Sequence, residues 1–72
     1  MNMRAKQSKL QIGNEMREGR FRTVPVFQLR GGWLWEFRTQ NINIISTTSL
    51  ASDDACRDHF KSIGGIILGD AE

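Results

Sequence analysis

Residues that usually carry chemistry are scarce in this chain, which has one cysteine, one histidine, one proline and no tyrosine. With Cys56 alone no disulfide can close within the chain, so an intracellular setting is expected. Cys56 itself reads as a small buried hydrophobe. Cys56 and His59 lie three apart on a candidate helix, but both fall on its apolar stripe and no third group is spaced to orient the imidazole. A catalytic dyad is therefore not expected. Two ligand-type residues cannot close a zinc site, and Asp53, Asp54 and Asp58 lack the spacing of a calcium loop, so no metal is expected. Gly31-Gly32 and Gly64-Gly65 match no phosphate-binding pattern, and no cofactor is implied. No apolar run approaches the ~18 residues of a membrane span, and Met1-Asn2-Met3-Arg4 lacks the apolar core of a signal peptide. What these absences leave is a non-enzymatic binding module in the cytoplasm.

At 72 residues the chain is long enough for one domain, below the size at which a core comfortably outweighs conformational entropy. Part of it is expected to stay unordered. A monomer is expected, with a homodimer as the alternative that would also offset the small core. The formal charge of +2 conceals an asymmetry. Residues 1–38 carry eight basic side chains against Glu15, Glu18 and Glu36, a net of +5; residues 39–72 net −3. A front half of this sign suits an acidic partner.

The richest stretch is Gly31-Gly32-Trp33-Leu34-Trp35-Glu36-Phe37-Arg38, which holds half of the six aromatic residues. Alternation sends Trp33, Trp35 and Phe37 to one face of a strand and Leu34, Glu36 and Arg38 to the other. Burying the three rings contributes on the order of 10 kcal/mol, an upper bound. A preceding strand is expected over residues 23–29, lying at a sheet edge or beginning just after Pro25, because proline cannot donate to a ladder. Gly31-Gly32 supplies the hairpin. Gln40-Asn41 form the next turn and an Ile-rich third strand covers residues 42–47. Ser52 followed by Asp53 and Asp54 opens a helix, as an N-cap oxygen ahead of two carboxylates favoured by the helix dipole. The helix runs to about residue 63 and stops at Gly64-Gly65. Cys56, His59, Phe60 and Ile63 form its stripe toward the sheet, with Arg57, Asp58 and Lys61 pointing away. Ile66-Ile67-Leu68 adds a short further strand or packs under the helix. The expected fold is α+β: a three-stranded antiparallel meander on one C-terminal helix, compact over residues 23–69, with a frayed acidic end at 70–72.

Residues 1–22 sustain neither helical nor strand periodicity in this reading. Gly13-Asn14 and Gly19 punctuate them, leaving at best a helical turn near Asn14. A flexible basic arm is expected, ordering on a partner through Lys9, Leu10, Ile12, Met16, Arg17, Arg20, Phe21 and Arg22, where apolar anchors alternate with cations. The alternative is a solvated tail. Aromatic platforms beside basic residues also bind single-stranded nucleic acid. However, the helix stripe needs the aromatic face as its partner, so weak nucleic-acid contact through the arm is the second partner class.

The block from Phe27 through Arg38, with Asn41, Ile44-Ile45, Ser49, Ala55 and Ile63, resembles the strand-strand-strand-helix unit of the small bacterial YegP-like family. It departs from that family's Asn-Gly turn at Asn41-Ile42. The resemblance implies paired or duplicated units, hence the homodimer alternative. A basic segment ahead of a compact unit also resembles the small transcription regulators of lytic Xanthomonas phages. That resemblance implies binding to the host RNA polymerase through its β and β′ subunits, a block to initiation by displacing the sigma factor, and antitermination.

Overall fold

The computed structural model describes residues 6–26 and 32–68. Among the described residues five antiparallel strands and one helix form: β1 (Lys6–Ile12), β2 (Glu15–Val26), β3 (Gly32–Arg38), β4 (Asn43–Ile45), α1 (Asp53–Ser62) and β5 (Ile66–Ile67). The strand order is β4-β3-β2-β1-β5. The chain is thus α+β, with the expected meander β2-β3-β4 and a C-terminal helix. Residue 31 of the expected glycine hairpin, residues 27–30 before it and the acidic end at 70–72 lie outside the described residues.

The main correction concerns the expected arm. From residue 6 onward it forms β1 and most of β2, a hairpin with Ile12 opposite Glu15 and Lys6 opposite Phe21. No helical turn forms at Asn14. Gly13-Asn14 is instead the two-residue loop, with Gly13 at φ 63°, the left-handed conformation such loops require and glycine adopts without steric cost. Gly19 is no break either. A Cβ there would collide with the carbonyl oxygen of Arg38 and lie 2.8 Å from Cζ of Phe37. Only a residue without a side chain lets the Phe37 ring lie over β2.

The strand carrying Pro25 is not the expected edge: β2 lies between β3 and β1, and Pro25 sits within it, opposite Trp33. Both backbone groups of Trp33 bond to Leu50 on the far side, at 2.8 Å each, so Pro25 and Trp33 form a pair that exchanges no ladder bonds. The missing N–H is therefore turned away from β3, and the described part of β1 stops before reaching it. β4 is shorter than expected because Ser46 takes over the ladder: its N–H donates to the Trp35 carbonyl at 2.9 Å and its Oγ accepts from the Trp35 N–H at 3.0 Å. In the preceding turn, Thr39 Oγ1 accepts from the N–H groups of Asn41 and Ile42.

α1 begins as its sequence dictates, with Ser52 extended and its Oγ accepting from the Ala55 N–H at 3.0 Å. It ends at Gly64, φ 101°. The N–H groups of Gly64 and Gly65 return to the carbonyls of Lys61 and Phe60, closing otherwise unpaired groups. Gly65 lies flat under the Phe60 ring, which leaves no room for a Cβ. One member of the expected stripe departs: Ile63, past the last helical turn, is 48% exposed.

The core lies between α1 and one sheet face and comprises Leu10, Phe21, Trp35, Phe37, Cys56, Phe60 and Ile67. Phe60 is its hub, with ring centroids 4.5 Å from Phe21, 5.1 Å from Trp35 and 5.7 Å from Phe37. Leu10 and Phe21, expected as partner anchors, are core residues at 4% and 2% exposure. Their burial is what turns the basic segment into part of the sheet.

Candidate functional site

Strand alternation divides every cation of the hairpin between two faces. On the helix side stand Lys6, Ser8, Leu10 and Ile12 of β1, opposite Phe21, Gly19, Arg17 and Glu15 of β2 respectively. Ser8 is fully buried and donates from Oγ to the Gly19 carbonyl at 3.3 Å. Arg17 lies opposite Leu10 and forms an ion pair with Glu15 at 3.1 Å. Its Nε is buried without a hydrogen-bond partner among the described residues. Ile12 packs against the core margin.

The other face is uncovered, since α1 packs on the first side and no second described element packs here. It presents Gln7, Lys9 and Gln11 of β1, Met16, Glu18, Arg20, Arg22 and Val24 of β2, and Leu34, Glu36 and Arg38 of β3. Ile45 and Ile66 stand at its two edges. Lys9, Arg20, Arg22 and Arg38 outnumber Glu18 and Glu36, giving this face a net of +2. The outer side of α1 carries Asp53, Asp54 and Asp58 against Arg57 and Lys61. Arg57 is tied to Asp54 at 2.6 Å and to Asp53 at 3.8 Å. The molecule therefore has a basic sheet face and an acidic helix face.

Two cross-strand pairs define the centre of the open face. Arg22 stands opposite Glu36, with Nε donating to Oε1 at 2.7 Å. Arg20 stands opposite Arg38, and neither makes an ion pair among the described residues. A shallow depression of about 660 Å³ runs over this centre, lined by Gln7, Arg20, Arg22, Glu36, Arg38 and Gln40 among others. Of the expected partner-binding residues, the sheet brings Lys9, Met16, Arg20 and Arg22 to one surface. It removes Leu10 and Phe21 to the core and sends Ile12 and Arg17 to the other side. The expected set omitted Arg38, Ile45 and Ile66, which share this surface. Arg38 was legible, since alternation from Trp33 already places it opposite the aromatic face.

Cys56 and His59 are tied into the core. Cys56 is fully buried, and burial, followed by the nearby charge of Asp53, pushes its thiol above the ordinary range, holding it protonated and inert. His59 Nδ1 accepts a hydrogen bond from Trp35 Nε1 at 2.9 Å, which fixes the ring against the core. Among the described residues no three His, Cys, Asp or Glu side chains are grouped to hold a metal ion. No described helix is long and apolar enough to cross a membrane. Comparisons with protein-family models, curated proteins and solved structures gave no match.

Proposed function

We propose that this chain is a non-enzymatic regulator of a multisubunit bacterial RNA polymerase, and that its open sheet face engages the β and β′ subunits. In this reading it blocks initiation by displacing the sigma factor as the enzyme first meets a promoter, and promotes antitermination. The observation that carries a binding role is a basic face that no second described element covers, with two opposed arginines that make no ion pair among the described residues. Its rim supports a protein partner. Met16, Ile45 and Ile66 are each about half exposed (49%, 51% and 46%), and apolar side chains exposed beside cations give a protein partner surface to bury. The choice of polymerase rests on the resemblance of the whole layout to phage transcription regulators. The hairpin alters one part of that reading, because the basic segment meets its partner as a preformed surface. Binding then does not have to order residues 6–22, which lowers the entropic cost of association.

The second reading, a nucleic-acid module, draws on the same cations. Against it, every described aromatic ring lies on the helix side or in the core, so the open face offers no described platform for base stacking. Salt separates the two. Affinity for phosphates falls by about one power of salt per contact, whereas a partly apolar protein contact weakens much less. Affinity for purified core polymerase should exceed that for random DNA at physiological salt, and the chain should inhibit promoter-dependent transcription. Tighter binding to random DNA would remove the polymerase reading.

A further inference from the structure

We infer that Arg20 and Arg38 form a clamp for a single carboxylate, supplied by an acidic segment of a partner protein. This rests on the open face being a protein-binding surface, and does not depend on which protein binds. The two arginines are Cα partners on adjacent antiparallel strands. The backbone groups of Trp33 and Trp35 turn toward Leu50 and Ser46, so the alternate β3 residues, Arg38 included, turn theirs toward β2. Arg20 and Arg38 are thus a hydrogen-bonded pair, with Cα atoms about 5.5 Å apart. Like charges directly opposite one another destabilise a sheet. The neighbouring pair shows the ordinary solution, with Arg22 facing Glu36 at 2.7 Å. The same strands carry no acid across from Arg20 or Arg38, although an acid at either position would complete a second ion pair.

The row extends beyond the two cations. Gln7 is the partner of Arg20 on β1 and Asn43 that of Arg38 on β4, so an amide stands at each end of four exposed side chains, Asn43, Arg38, Arg20 and Gln7. Guanidinium forks and amide N–H groups are all donors suited to a planar carboxylate. Glu36 lies two residues from Arg38 and Glu18 two residues from Arg20, on the same face. A lone anion seats between them. The apolar side chains of Met16, Ile45 and Ile66 on the same face offer a nucleic-acid backbone nothing, whereas a protein segment can bury them beside its carboxylate. Charge complementarity therefore selects an acidic protein segment.

The test uses the full chain, with a hexaglutamate peptide as probe, titrated by calorimetry at about 150 mM salt. The double variant Arg20→Gln/Arg38→Gln should weaken hexaglutamate binding about tenfold or more, and Lys61→Gln, on the outer side of α1, should leave it unchanged. Arg38→Glu should raise the melting temperature, by replacing a like-charge pair with an opposite one, while removing binding. A merely structural arginine would show the reverse: a lower melting temperature with binding unchanged. That result, or tighter binding of an oligothymidylate than of hexaglutamate, would overturn the clamp. If the chain fails to bind polymerase but the double variant loses hexaglutamate, the clamp stands and the polymerase reading falls. If polymerase binds the double variant as well as the parent, the clamp falls and the polymerase reading stands.

Discussion

On the helix side of the sheet, Leu10, Phe21, Trp35 and Phe37 close against Phe60 and Cys56; on the other side, residues one position along the same strands, Arg20, Arg22 and Arg38, face solvent. The hairpin β1-β2 feeds both faces at once, and this is what separates it from an appended arm. Each core residue it contributes fixes the position of the cation beside it, because a strand cannot move one face without the other. Binding residues held this way are preorganised, and the side that folds the protein is chemically insulated from the side that meets a partner.

The largest break in this comparison is truncation. Removing residues 1–22 takes away β1, the first part of β2, and the core residues Leu10 and Phe21. Two such deletions from one core sum to more than the stability of so small a domain, so residues 23–72 should show no cooperative melt. Had the segment been an appended arm, the melt would survive. Next in size is Gly19→Val, which should destabilise by about 1–3 kcal/mol because its branched side chain meets Phe37 and the Arg38 carbonyl. Denaturant titration measures it, and an unchanged midpoint would mean that Phe37 does not lie over β2.

Smaller again is His59→Leu. It leaves the part-buried Trp35 indole N–H without its acceptor, a loss of about 1–2 kcal/mol, visible as a lower unfolding midpoint and a shifted tryptophan emission. The smallest effect is on pH. The thiol of Cys56 is pushed up in the folded state, so the native chain holds that proton more tightly than the unfolded one does. Its contribution is complete below the unfolded value of about 8.5 and is lost as the pH rises above it. Between pH 7 and 10 the parent should lose more melting temperature than Cys56→Ala.

Legibility in the sequence followed how each element announces itself. β3 was readable because the aromatics Trp33, Trp35 and Phe37 recur at every second position, and α1 because Ser52, Asp53, Asp54 and Gly64 mark its ends. The last residues of β2 fell within the expected strand over residues 23–29, but its first part did not show, since the helix-side positions Glu15, Arg17, Gly19 and Phe21 include only one apolar side chain. A periodicity argument has nothing to count there. The strand persists because Gly19 makes room for the Phe37 ring and Phe21 reaches Phe60. One local signal was available: Gly13-Asn14 between Leu10, Ile12 and Met16 is a two-residue hairpin loop. The open face was half legible. Its cations could be named, but Leu10 and Phe21 look like exposed anchors until register places them opposite Arg17 and Lys6. The Arg20–Arg38 pair depends on register alone and could not be read from spacing.

The central claim is that the open sheet face, and not the helix face, meets the partner. Cross-saturation from core polymerase to the isotope-labelled full chain tests it most directly, because each amide reports its own distance from the bound surface. The account expects attenuation at Lys9, Arg20, Arg22, Arg38 and Ile45, with Asp54, Asp58 and Lys61 unaffected. Attenuation confined to the α1 residues, with the arginine row unchanged, would contradict it.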